Sequence, residues 1–164
     1  MFFKLIARIQ FLLTSTNQHG VHSPFVFDFV TKGLYQKSLK LIATNDFLAS
    51  QKLRKKEQKI LAKITAYFGV ESIVTSVNEL EITSSNSYKI LFVNTIDNFN
   101  FDILPVNTSK LIVVLHGIHD NKATQEKWGQ LCTYTKATVT IDLFYFGLIF
   151  FREAQAKEHF KIRV

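Results

Sequence analysis

The stretch that most restricts what this chain can fold into is Lys110 to Asp120, KLIVVLHGIHD. Five consecutive apolar residues, Leu111 to Leu115, stand between polar Asn107-Thr108-Ser109 and His116-Gly117. An apolar run this short, bounded by turn residues, reads as a strand buried on both faces, which belongs in the middle of a parallel sheet. Ligands of open α/β sheets bind beyond the carboxyl ends of the strands. His116, Gly117, His119 and Asp120 therefore lie where chemistry is expected, yet these residues alone do not make a reaction centre.

The neighbouring segments fit such a sheet. A helix is expected from about Gln51 to Phe68, with Leu53, Ile60, Leu61, Ile64, Tyr67 and Phe68 inward, lysines on the other face, and Gly69 as its left-handed stop. Ser72 to Val77 reads as a first strand, Asn78 to Ser87 as a polar connection, and Lys89 to Asn94 as a second buried strand. After the organising strand, Asp120 or Asn121 caps a helix to about Tyr134 that buries Trp128 and Leu131. Ala137 to Leu143 alternates as a strand, Phe144 to Gly147 turns, and Leu148 to Phe151 returns antiparallel. Helices alternating with strands, then a final hairpin, describe a three-layer α/β sheet with an antiparallel strand near one edge.

The front of the chain is helical. Phe2, Leu5, Ile6, Ile9, Leu12 and Leu13 recur at helical spacing, with Lys4, Arg8 and Gln10 elsewhere on the wheel. Packing on the protein's own core or on a second copy is the expected use of that stripe, ahead of a membrane surface. In the turn that follows, Ser23 is the expected N-cap, Pro24 the first helical residue and Gly33 the stop, with Phe25, Val26, Phe29 and Val30 buried. Lys37 to Ser50 is weakly patterned, with a break at Thr44-Asn45-Asp46. Residues 1–50 thus form a helical segment packed on a domain of residues 51–164, in one structural unit.

Composition narrows the functional classes. Residues 1–63 hold eleven Lys or Arg against Asp28, Asp46 and Glu57, a net of +8, whereas residues 64–164 hold nine against ten, a net of −1. Clustering of this kind attracts nucleic acid or anionic lipid, but a solvated helix face is its commoner meaning, so nucleic acid is not the expected partner. The lone Cys132 offers neither an intramolecular disulfide nor a CxxC metal pair, and a reducing, cytoplasmic setting is expected. Arg8 and Gln10 interrupt the opening apolar run, which argues against a signal peptide. His19-Gly20-Val21-His22 and His116-Gly117-Ile118-His119 repeat one pattern and supply four imidazoles for a metal, although hydrogen bonding within the turns is the preferred reading.

Two stretches carry a resemblance. QHGVHSPFVFDFVTKGLY (Gln18 to Tyr35) and TVTIDLFYFGLIFFREAQAKEHFKIRV (Thr138 to Val164) look very like the two ends of a class I S-adenosylmethionine-dependent methyltransferase-like family common in Bacteroidetes. KITAYFGVESIVTS (Lys63 to Ser76) and HGIHDNKATQEKW (His116 to Trp128) are similar to its middle. The resemblance implies a Rossmann-like methyltransferase sheet, here shortened to about five strands, mostly parallel with one antiparallel C-terminal strand.

The departures fall on the residues that would bind and react. Where the family has an acidic residue and a glycine-containing turn, this chain has Thr75-Ser76-Val77-Asn78-Glu79, with no glycine between Val70 and His116. Between Ser76 and Tyr88 there are only about a dozen residues, against the roughly 30 of a βαβ unit. Asn94 stands in place of an aspartate, and His116 and Gly117 in place of paired aspartates. Thr75, Ser76, Val77 and Asn94 thus mark a vestigial cofactor region. The expectation is a non-catalytic protein without a cofactor, acting by homodimerisation or a protein partner through the N-terminal helix or a sheet edge. The alternative is an active methyltransferase on a small oxygen or nitrogen nucleophile, using S-adenosylmethionine with His116 or His119 as base and Asp97 or Asp120 orienting it.

Overall fold

The computed structural model describes residues 2–37, 47, 50–70, 72–80, 87–105 and 108–164, the side chain of residue 98 excepted. The break expected at Thr44-Asn45-Asp46 and the middle of the connection after the first strand, 81–86, lie outside the described residues.

Among the described residues six strands form one sheet: β1 (Ser72–Val74), β2 (Lys89–Val93), β3 (Leu111–His116), β4 (Val139–Asp142), β5 (Phe146–Phe150) and β6 (Glu158–Lys161), in the order β1-β2-β3-β5-β4-β6. β5 is antiparallel to both its neighbours, and the other five strands run in one direction. The alternation of side chains across the pleat divides the core. Ile90, Phe92, Ile112, Val114, Ile141 and Leu148 face one cluster, which α2 (Pro24–Asp28), the turn that continues it from Phe29, and α3 (Lys55–Phe68) cover with Val26, Phe29, Leu61 and Ile64. Leu91, Leu111, Val113, Leu115 and Ile149 face the other, covered by Trp128 and Leu131 of α4 (Lys122–Thr133). Every residue from Leu111 to Leu115 is buried, as a strand between two helical layers requires.

Several boundaries move for physical reasons. The antiparallel strand is not the last: β6 follows it and runs parallel beside β4 at an edge. Its sequence EHFK, half exposed, carries little of the apolar signal on which strand recognition depends. Outside β6, Thr16 adds a single parallel bridge to Ile162, so the chain after the first helix covers part of that edge. At the other end, β1 closes the sheet among the described residues and stops at Val74, where Ser76 caps a 3-10 turn, Val77–Glu79. Among its described residues the link from β2 to β3 has no α-helix. Its short turns Ile96–Asn98 and Phe101–Ile103 bury Ile96, Phe99 and Phe101 against the α4 face, with Phe101 stacked on Tyr134 at 3.8 Å.

α3 begins at Lys55 rather than Gln51, because Lys52 takes a left-handed φ of 50° and the Glu57 carboxylate folds back to accept the Arg54 backbone N–H at 2.8 Å. It ends at Gly69 with φ 59°, as expected. Gly33 does not stop α2, which continues as a π-helical turn through Phe29–Leu34; a Cβ on Gly33 would stand 3.0 Å from the Tyr67 ring, so its role is clearance for α3. Gly147 likewise lies within β5 instead of in the hairpin turn. That turn is made by Leu143 to Tyr145, with Phe144 at φ 70°.

The first helix, α1 (Phe2–Thr14), does not use its apolar stripe on the protein's own core, one of the two uses expected of it. Ala7 and Phe11 are the buried residues, packing on Phe144 with Phe3 beside them. Phe2, Leu5, Ile6, Ile9, Leu12 and Leu13 all point outward, and they are six of the eight large hydrophobic side chains exposed among the described residues. The stripe does not cover the protein's own core.

Candidate functional site

The carboxyl ends of β2, β3 and β4 bring together Asn94, His116 and the turn Gly117 to Asp120, and Asp142 with the hairpin Leu143 to Tyr145. Parallel strands end on the same side, and β5 alone enters from the opposite direction, so these segments share one rim of the sheet. α1 and the approach to α3 lie over that rim.

His116 closes β3, and its ring lies between Phe92, 6.3 Å away and nearly parallel, and Phe146 at 5.4 Å. Its Nε2 is 3.7 Å from Glu57 Oε2. Glu57 is buried, yet Arg54 Nε donates to its Oε1 at 2.8 Å and Arg54 Nη2 bonds the same oxygen. Burial pushes the Glu57 carboxyl up, but the Arg54 side-chain and backbone hydrogen bonds and charge, with His116 adding a smaller effect, hold it below the usual carboxylate range. Asn94 donates to Gln51 Oε1, and Phe47 meets the Phe92 ring edge-on at 5.5 Å, so residues ahead of α3 fold across the end of β2.

His119 lies deeper. Gly117 takes φ 72° and its N–H donates to the Tyr145 carbonyl at 3.0 Å, which turns the chain sharply after β3 and brings His119 beneath the hairpin. His119 Nε2 is 2.7 Å from Asp142 Oδ2, and Phe144 N–H donates to the other Asp142 oxygen at 2.8 Å. Both side chains are buried, with the imidazole stacked on Phe144 at 14° and 5.2 Å and Phe11 of α1 close by. His119 Nδ1 is buried without a partner. The carboxylate bonded to His119 is thus Asp142, rather than the Asp97 or Asp120 expected to orient it. Asp120 pairs instead with Lys4 of α1, and Asn121 caps α4, its Oδ1 accepting the Thr124 N–H at 2.9 Å.

A cluster of cations gathers above Tyr145: the Arg54 guanidinium lies 4.9 Å from its ring, Arg8 5.4 Å and Lys56 5.6 Å. Arg8 also sits 4.5 Å above Phe144.

The remaining expected residues are scattered. Thr75 is exposed, Ser76 caps its turn through a bond from the Asn78 N–H at 3.3 Å, and Val77 packs against the α4-side core. His19 and His22 are exposed in the turn beyond Thr16, and His19 has Gln18 Nε2 3.2 Å from its own Nε2. Thr16 borders β6, four strand spacings from β3, or about 19 Å. The two histidine pairs are thus not assembled into one site, and among the described residues no three His, Cys, Asp or Glu converge to hold a metal. Sequence reasoning missed Glu57, Arg54 and Asp142. Glu57, alone among the lysines of α3, was the one available signal. An open cavity of about 380 Å³ occurs at the opposite rim, lined by Thr108, Ser109, Lys136, Thr138, Arg152 and Glu153.

These features define an α/β protein with, among the described residues, a six-stranded mixed sheet and four α-helices. Comparison with known proteins finds no matching family model, no matching curated protein and no matching solved structure.

Proposed function

We propose that this chain is a shortened methyltransferase-fold protein that no longer performs methyl transfer and acts through an interaction surface, the outward face of α1. The observation that carries the reading is the closure of the strand ends by the chain itself. Asn94 is bonded to Gln51, Glu57 is clamped by Arg54 beside His116, and His119 is sealed with Asp142 under α1. S-adenosylmethionine fits poorly here. The turn after β1 carries no glycine to let a ligand approach the backbone, its half-buried Val77 packs against the core, and the Asn94 side chain is already engaged.

The test is calorimetric titration with S-adenosylmethionine and S-adenosylhomocysteine, accompanied by thermal shift. The expected result is neither heat nor shift. Saturable micromolar binding would overturn the loss of chemistry. It would then favour a methyltransferase on a small oxygen or nitrogen nucleophile with His116 as base, since that imidazole is 25% exposed at the strand end and stands beside a carboxylate.

A further inference from the structure

We propose that the outward face of α1 seats on an anionic lipid surface, its apolar side chains entering the acyl boundary and the bordering cations meeting headgroup phosphates. The inference rests on the reading of α1 as the acting surface and names its partner. Two observations select this occupant.

The first is the arrangement of the helix. Ala7 and Phe11 fix α1 to the protein, and the opposite face presents Phe2 at 76% exposure, Leu5 at 59%, Ile9 at 52% and Leu13 at 81%, with Ile6 and Leu12 beside them. Nothing polar interrupts that face, because Lys4 and Arg8 sit half-buried on the flank between it and the protein, bonded to Asp120 and lying over Phe144. Thirteen residues span about 20 Å, enough to lie in a bilayer interface. No helix among the described residues is long and apolar enough to cross a membrane.

The second is charge. Arg8 of α1 meets Arg54 and Lys56 at the start of α3 around the Tyr145 ring, with Lys4 one turn before Arg8 and Lys55 between Arg54 and Lys56 in the chain. Among the described residues the carboxylate side chains paired with these five cations are Asp120 and the buried Glu57, and Lys56 donates to the main-chain oxygen of Val164 at 2.9 Å. A second copy docking face to face would set like charges against each other, whereas an anionic headgroup layer complements them. A nucleic acid would match the cations but leave the apolar face in water.

The experiment is co-sedimentation of the full chain with vesicles of phosphatidylcholine plus phosphatidylserine, and with phosphatidylcholine alone. Binding is expected only to the phosphatidylserine vesicles and should weaken as salt rises. Replacing Leu5, Ile9 and Leu13 together by Gln should abolish it with an unchanged thermal midpoint, since all three are exposed. Lys55→Gln and Lys56→Gln should each weaken it about fivefold. Sedimentation with neither vesicle, equal binding to both, or light scattering that shows a dimer disrupted by the same Gln variant without vesicle binding would each overturn the lipid proposal. These outcomes are separate from the cofactor titration: saturable cofactor binding would remove the loss of chemistry and leave the vesicle result standing.

Discussion

Removing the guanidinium that holds Glu57 should cost stability at neutral pH and reverse the pH dependence of that residue. Arg54→Met keeps most of the aliphatic stem and deletes two hydrogen bonds to a carboxylate that is 3% exposed. The bond from the Arg54 backbone N–H survives, so the carboxylate keeps one donor, with His116 3.7 Å away. Hydrogen bonds to charged groups are each worth about 1.5–3 kcal/mol. The Arg54 side chain is 59% exposed, and solvent screening puts the combined loss near the bottom of that range, at about 2 kcal/mol. For a chain of this size the thermal midpoint should fall by about 4–8 °C.

The sign with pH follows from the opposing effects on Glu57. In the native chain Arg54 outweighs burial and the folded carboxyl titrates below its unfolded value. Its contribution is therefore fully present above the unfolded value and lost as pH falls through the folded one. Without the guanidinium, burial dominates and the carboxyl titrates above its unfolded value. The variant's deficit should then begin to shrink above the unfolded value, where its own Glu57 takes up a proton, and finish shrinking only below the native chain's lowered value, where both chains carry a protonated Glu57. Urea unfolding at neutral pH and across the acid range measures both effects. A variant as stable as the native chain, or a deficit that stays constant from neutral pH to acid, would refute the clamp.

Gly147→Ala should destabilise by about 2 kcal/mol, because its new Cβ would lie 2.6 Å from the ring of the buried Trp128. Adding Trp128→Leu should make the double variant less unstable than the sum of the two losses, and strict additivity in thermal unfolding would disprove the contact. Burial pushes the Cys132 thiol up to about 11, so at pH 8 its alkylation should be about 100-fold slower than that of an ordinary thiol and should accelerate in denaturant. A rate matching the unfolded chain would contradict that burial.

What the chain states locally survives folding. Leu111 to Leu115 is apolar whatever surrounds it, and only the centre of a covered sheet removes both faces of such a strand from water. Gly69 ends α3 and Asn121 starts α4 through hydrogen bonds to backbone groups within a few residues, so both are readable in sequence. The antiparallel return of β5 follows from alternation and a short turn, but the glycine that seemed to make the turn serves Trp128 instead. Glycine marks both positive φ and close approach, and a sequence does not distinguish the two.

The rim of the sheet was legible in part. His116 and His119 could be placed beyond β3, but their partners Glu57 and Asp142 come from other elements, and only the sheet order brings them within reach. α1 shows the same division most plainly. Its sequence determines that one side is apolar, because helical periodicity is a local property. Which side meets the protein was decided by tertiary packing: Phe11 fits against Phe144 and Lys4 reaches Asp120, and those contacts turn the larger apolar face to the outside.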